Sequence, residues 1–209
     1  MYEFSDRAVR DMNRRNIRLF GTLKQLLFDE LYILTAVSKV YDESVKIAKK
    51  RYRQIANAAY VDALVATGKS EKAAQAEAND TITDDWVLDF LEDYDAITLY
   101  RFIPEAERKK QRLVEALIAS HKRNDEVDKA LKLWSLQISQ YAIKMVDEAT
   151  MGAYKSAGVQ YVVWNTQDDE RVCTICSPRD GKIYRIDEAP PKAHYGCRCY
   201  YLPAKRGKR

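Results

Sequence analysis

The chain has 209 residues, of which 46% are hydrophobic, and a formal net charge of +4. This hydrophobic fraction excludes disorder as the dominant state. The mean hydropathy of −0.49, without any apolar run of about 18 residues, argues against a membrane-spanning helix. Residues 1–16 are charged throughout, so we expect no secretory leader and a soluble protein made in the cytosol.

A long amphipathic helix is predicted from about Ser5 to Thr67, with Gly68 as its C-terminal cap. Apolar residues recur at steps of three and four, the period of one buried helical stripe. Gly21 and the region of Ser38 are candidate breaks, because an unbroken helix of this length would measure on the order of 90 Å. The stripe comprises Val9, Met12, Phe20, Leu23, Leu27, Leu31, Leu34, Tyr41, Val45, Ala48, Tyr52, Ile55 and Ala59.

Two basic clusters are candidate DNA-binding surfaces. Four arginines lie on the helix face opposite the apolar stripe, and four further basic residues fall within 205–209. Clustered cationic groups favour sequence-independent contacts with DNA phosphates. The alternative is that both clusters are ordinary solvated surfaces. The residues are Arg7, Arg10, Arg14 and Arg18, and Lys205, Arg206, Lys208 and Arg209.

Shorter helices are predicted downstream. One covers about 70–78, and another begins at Thr83 or Asp84, which act as its cap. Two more are predicted over 105–121, where Pro104 fits the first turn, and from about 125 to near Gly158. Helices joined by short connections favour an elongated α-helical domain.

The composition of the sequence changes after Gly158. Residues 160–166 are rich in β-branched and aromatic side chains, which is typical of a strand. Asp180-Gly181 predicts a tight turn of a hairpin between 173–177 and 182–186, and 197–202 is a candidate returning strand. The predicted fold class is therefore mainly α, with an elongated helical domain (1–158), a small α+β Cys/His module (159–204) and a basic tail (205–209).

All four cysteines fall within one window of 27 residues, which marks a local site rather than a dispersed disulfide framework. Cys173-x-x-Cys176 has the spacing of a knuckle that points two thiolates at one tetrahedral ion, and a distant second pair completes such a site. The Cys197-x-Cys199 pair departs from the usual spacing of two to four residues between zinc ligands. The predicted zinc ligands are therefore Cys173, Cys176 and Cys197, with either His194 or Cys199.

Three other interpretations of the cysteines stay open. The thiols could form disulfides, or they could be free and buried. Cys173 or Cys176 could also pair with His194 as nucleophile and base. No activating helix N-terminus is evident, and four adjacent thiols are redundant for one nucleophile, so no enzyme is expected.

The C-terminal sequence also carries a longer spaced pattern, which covers about the last 45 residues. After the predicted strand it runs Thr-x-x-Asp-x-Arg, a Cys pair, Asp-Gly, and Pro-x-x-His-x-x-Cys-Arg-Cys. The residues are Thr166, Asp169, Arg171, Cys173, Cys176, Asp180, Gly181, Pro191, His194, Cys197, Arg198 and Cys199. This pattern resembles the phage Mu protein F-like family, the minor head or head-morphogenesis proteins of tailed phages.

The resemblance implies a low-copy capsid component inside the virion head, near the portal vertex, that is made in the host cytoplasm. It implies a role in head assembly and in DNA packaging or ejection. The implied partners are the portal protein, the major capsid protein and packaged double-stranded DNA, with no membrane. The alternative is a zinc-stabilised nucleic-acid-binding module outside a virion, against which the near-neutral charge of 159–204 argues.

Overall fold

The structure is a computed structural model, and it describes part of the chain. The helix predicted over 105–121, the candidate break at Gly21 and His194 lie outside that part. The described residues are 30–97, 142–193 and 197–205, with Arg10 and Arg14.

The described residues belong to two compact units. One contains 54–82 and the described residues from 142 onward. The other contains 30–53 and 83–97. The boundary between residues 158 and 159 that the sequence suggests stays a prediction.

Three helices occupy residues 30–97: α1 (Glu30–Ala66), α2 (Glu71–Thr81) and α3 (Asp84–Ile97). Helix α1 has 37 residues without Gly or Pro, so it measures about 55 Å at the usual rise of an α-helix. It continues through Ser38. The candidate break there is wrong, because no residue in the segment removes a backbone donor or favours a non-helical conformation.

The caps at Gly68 and Thr83 are those that the sequence indicates, and Ser70 adds a third. Gly68 takes a positive φ of 99°, and its N–H donates to Val65 O (2.9 Å) as α1 ends. The Ser70 side chain accepts from Ala73 N at the start of α2. Thr83 Oγ1 accepts from Trp86 N (3.1 Å), so Thr83 is the N-cap of α3.

The apolar stripe of α1 is confirmed where its side chains are described. Tyr52, Ile55 and Ala59 are buried, and buried positions 56, 60, 61, 63 and 64 widen and continue this face. None of the described helices is both long enough and apolar enough to cross a bilayer.

A further helix, α4, is described over 142–156. Its buried positions follow helical spacing, and its end is the predicted one: Gly158 has a φ of 72°, and Val159 N donates to Tyr154 O (2.9 Å). The buried residues of α4 are Ala142, Met145, Val146, Ala149, Thr150, Ala153 and Tyr154.

A three-stranded antiparallel sheet follows α4. Its strands are β1 (Tyr161–Asn165), β2 (Ile183–Arg185) and β3 (Tyr200–Ala204), in the order β2-β1-β3. Val162 and Trp164 of β1 are buried. The central strand is therefore the one predicted over 160–166, and the expected α+β character of this region is confirmed.

The predicted hairpin between 173–177 and 182–186 is wrong in its first strand. Residues 173–177 form turns, in which Cys176 N and Ser177 N donate to Cys173 O at 3.0 and 2.9 Å. Pro178, which lacks a backbone N–H, follows within a 3₁₀ turn. The strand β2 pairs instead with β1. Just before β2 begins, Gly181 N donates to Trp164 O at 2.8 Å.

The return strand β3 begins at Tyr200, three residues later than predicted, and runs to Ala204. Trp164 makes its backbone bonds to the β2 side, so the backbone of Tyr201, which lies opposite Trp164, faces away from β1. Tyr154 Oη donates to Tyr201 O (3.3 Å) on that outer side. Pro203, two residues further on, lacks a backbone N–H and shares this orientation.

Glu77 joins three helices of the first unit. Its carboxylate on α2 accepts from Tyr60 Oη of α1 (3.2 Å), from Ser156 Oγ of α4 and from Lys69 Nζ in the connection before α2. The hydrogen bond from Lys69, followed by that from Ser156, lowers the pKa of Glu77 below its ordinary value of 4.5. A lowered pKa means that folding favours the carboxylate.

We expect Glu77→Gln to destabilise the protein at neutral pH and to matter less as the pH falls. The native pKa lies below the unfolded one, so the contribution of the carboxylate is complete above about pH 4.5 and is lost as the pH falls through the native value. Urea unfolding of wild type and variant at neutral and acidic pH measures this. Glu148→Gln, an exposed change on α4, is the control, and a Glu77→Gln difference independent of pH would contradict the expectation.

Candidate metal centre

The sheet brings the two cysteine pairs together. Asn165 at the end of β1 pairs with Tyr200 at the start of β3. The Cys173–Cys176 turn follows β1, and Cys199 immediately precedes β3. The antiparallel register therefore places the two pairs at the same end of the sheet.

Three cysteine sulfurs form a compact group. The Sγ atoms of Cys176, Cys197 and Cys199 all lie within 4.8 Å of one another, and those of Cys176 and Cys197 are 3.6 Å apart. A tetrahedral zinc ion with Zn–S bonds of about 2.3 Å has S–S edges of roughly 3.8 Å. The group can hold a metal ion with three corners of a tetrahedron supplied by these sulfurs.

Cys199 belongs to this group together with Cys197, two residues away. Residues 197–199 lie just before β3, which begins at Tyr200, and are not in a strand. Of the two candidates His194 and Cys199, the structure brings Cys199 to the site. His194 lies outside the described residues, so its role as a ligand stays a prediction.

Cys173 lies beside the group without being one of its members. It is half-buried and packs against the same cluster, and a hydrogen bond between its thiol and that of Cys176 contributes to the raised pKa of Cys176. Its backbone carbonyl closes the turn that holds Cys176.

Burial sets the chemistry of these thiols. None of the four cysteines forms a disulfide, and Cys176, Cys197 and Cys199 are at most 5% exposed. Burial raises the pKa of Cys176 and, as the main cause, raises that of Cys199 to about 11. A nucleophilic cysteine needs the opposite shift. A metal ion, by contrast, displaces the thiol protons when it binds.

Trp164 packs in one buried cluster with Cys176, Cys197 and Cys199. It is fully buried, and the Tyr201 ring meets it edge-on at 5.1 Å between centroids. The Arg179 guanidinium lies 5.2 Å from the ring centroid and donates to Pro191 O, which fixes the segment that leads to Cys197.

The indole nitrogen of Trp164 is buried and has no hydrogen-bond partner among the described residues. An unpaired buried donor costs about 1–3 kcal/mol.

The other residues of the spaced pattern hold the loops around the cysteines. Asp180 Oδ1 accepts from Thr166 N (2.6 Å) and Thr166 Oγ1 (2.9 Å), which joins the end of β1 to the turn before β2. Arg198 donates to Asp169, which also accepts from Arg171 N, and the Arg198 bond lowers the pKa of Asp169. The resemblance marked these residues, and the structure shows that they link chain segments.

The residues of the basic clusters are only partly described. Arg10 and Arg14 lie in helical backbone with exposed side chains, and Lys205 is exposed directly after β3. No described contact tests whether they bind DNA. The remaining residues of the two clusters, outside the described part of the chain, are Arg7, Arg18, Arg206, Lys208 and Arg209.

Residues 112–202 match a family model described as Phage Mu protein F like protein. The match contains all four cysteines and the whole sheet apart from the last residues of β3. It begins well before the roughly 45 residues that carry the recognisable pattern, so it also includes α4. Comparisons with curated proteins and with solved structures gave no match. Residues 112–202 of the chain are thus similar to the Phage Mu protein F like family.

Proposed function

We propose that this protein is a structural, minor component of a tailed-phage head that acts in head morphogenesis. The observation that carries the proposal is the family match over 112–202, which includes the cysteine cluster and its supporting loops. On this proposal the protein is built into the head during assembly in the host cytoplasm and stays in the virion.

The chemistry of the site supports a structural role. The three clustered cysteines are buried, and the raised pKa of Cys176 disfavours an activated thiolate. The polar residues around them connect one loop to another within the chain. Such an arrangement stabilises a shape, and a cysteine-dependent enzyme would need an accessible and acidic thiol.

The finer placement also belongs to this proposal. The resemblance supports a low copy number and a position inside the head near the portal, with the portal and major capsid proteins as partners. Packaged double-stranded DNA is the third proposed partner, through the two basic clusters.

We expect purified particles of a phage that encodes this chain to contain it at a low copy number and to shield it from external protease. Quantitative mass spectrometry of intact particles, before and after protease treatment, measures both properties, and particles opened before treatment are the control. Absence from the particles contradicts the proposal, and cleavage in intact particles contradicts the internal position. Retention of the chain by co-expressed portal protein tests the portal contact.

We further propose zinc as the ion of the cysteine cluster. The S–S distance of 3.6 Å suits a tetrahedral centre, and thiolate sulfur is a preferred ligand of zinc. The ligands on this proposal are Cys173, Cys176, Cys197 and Cys199. Metal binding would supply folding free energy to a region with short strands and long connections.

We expect one zinc ion per chain by elemental analysis, and loss of that zinc in Cys176→Ser and Cys197→Ser. A chelator should lower the thermal unfolding midpoint of the wild type. His194→Ala should keep zinc where Cys173→Ser loses it, and His121→Ala is the control for a histidine remote in sequence from the cysteines. Zinc-free wild type with a disulfide in its intact mass, or with four thiols that react freely in the native state, would contradict the zinc centre.

For the DNA contact, we expect affinity for duplex DNA to fall steeply between roughly 50 and 200 mM salt, because phosphate binding releases counterions. Replacing Arg10 and Arg14 by Ala should reduce the slope of log affinity against log salt by about 1 per lost phosphate contact. Lys72→Ala with Lys155→Ala removes the same charge from exposed positions of α2 and α4 and is the matched control. Equal slopes for both double variants would remove this arginine face from the proposal.

A further inference from the structure

Helix α1 carries a group of basic residues that belongs to neither of the two basic clusters. Residues 42–61 contain five basic and two acidic side chains, and both acids precede the basic residues. Three of the basic residues are lysines: Lys46 and Lys50 are exposed, and Lys49 is half-buried. We call these three side chains the lysine face.

Helix geometry places the three lysines side by side. Residues three and four positions apart are neighbours on a helix, with Cβ atoms about 5–6 Å apart. The buried Tyr52 lies about 120° around the helix from Lys46 and about 160° from Lys50. It lies only about 60° from Lys49, which accounts for the partial burial of that lysine. The lysine face therefore points away from the packed side of α1.

No described acid neutralises the lysine face. The ion pairs that the described residues form with one another include none of its members. Arg53, one turn further along α1, differs because it donates to Asp84 Oδ1 of α3 at 3.2 Å. Like charges three and four positions apart destabilise a helix. The lysine face is therefore unfavourable for folding, and a bound anion would relieve the repulsion.

The composition of this side of α1 indicates which kind of anion it suits. The centres of protein–protein interfaces are enriched in aromatic residues, Met and Arg and depleted in Lys. Proteins that bind single-stranded nucleic acid stack the bases on aromatic rings. The lysine face offers ammonium groups alone, and the next positions along this side, Arg53 and Asn57, are polar as well. Cations without an apolar or aromatic anchor suit the closely spaced phosphates of duplex DNA.

Both polar positions beside the lysine face are already engaged. Arg53 is paired with Asp84. The Asn57 amide donates to Asn79 Oδ1 (3.1 Å) and accepts from Gln75 Nε2 (2.8 Å). Specific readout of DNA uses Arg or Asn side chains that bond to base edges. Contacts at the lysine face are therefore expected to be with phosphates, which carry no sequence information.

We propose that the lysine face of α1, formed by Lys46, Lys49 and Lys50, binds the phosphate backbone of duplex DNA without reading its sequence. This inference rests on the DNA contact proposed above and adds a surface that neither basic cluster includes. Lysine acts here as a point charge, so the contact depends on charge and not on the exact shape of the side chain.

The test measures the affinity of the full chain for a labelled duplex of mixed sequence by fluorescence anisotropy, between roughly 50 and 200 mM salt. The variant changes Lys46, Lys49 and Lys50 together to Gln, which keeps helix propensity. We expect the slope of log affinity against log salt to become less steep by about 2 to 3, because each phosphate contact contributes roughly 0.9. Changing the same three lysines to Arg should keep the slope of the wild type.

The matched control changes three exposed lysines elsewhere, Lys72, Lys155 and Lys182, to Gln. It removes the same charge, and we expect it to keep the slope of the wild type. Thermal unfolding without DNA checks that the variants fold. The midpoint of the lysine-face variant should equal or exceed that of the wild type, because the repulsion within α1 is removed. If that variant does not fold, Lys50→Gln alone decides, with a slope less steep by about 1.

The outcomes separate this inference from the proposal beneath it. A wild type that does not bind duplex DNA even at the lowest salt overturns the DNA contact, whereas the content of purified particles tests the role in the head independently. A lysine-face variant with the slope of the wild type overturns the lysine face alone, and an equal loss in the control variant does the same. Displacement of the labelled duplex by poly-glutamate as readily as by unlabelled duplex would also overturn it, in favour of an acidic protein partner.

Discussion

The antiparallel pairing of β1 with β3 is the constraint on which the cysteine cluster depends. It places Cys197 and Cys199, just before β3, next to the turn that carries Cys173 and Cys176 just after β1. A slip of the register by one residue would turn the side chains of β3 to the other face of the sheet. The burial of Trp164 on the central strand, with Tyr201 against its ring, disfavours such a slip.

Helix α4 supports the same sheet from outside it. Tyr154 donates to the backbone of β3, and Asp147 pairs with Lys192 in the segment before the second cysteine pair. Ser156, at the end of α4, reaches Glu77 of α2. The family match, which begins upstream of α4, is consistent with this dependence, because the sheet and cysteines use α4 as part of their support.

Local signals in the sequence predict much of this structure. Gly68 and Thr83 mark helix ends because their backbone and side-chain preferences act within one turn. The β-branched residues that predict β1 are a local signal of the same kind. The strand predicted at 173–177 failed, because a short segment without periodicity takes the conformation that its distant contacts impose, here a turn that buries Cys176. Spacing located the cysteines, but the orientation of Cys199 and the pairing of Lys192 with Asp147 depend on tertiary contacts.

The outer side of β3 has a consequence for how copies of the protein meet. There the carbonyl of Tyr201 accepts from the Tyr154 hydroxyl, and Pro203 offers no donor. A foreign strand approaching this side would therefore lack one acceptor and one donor that it could use in a ladder. Such a margin disfavours edge-to-edge polymerisation through β3.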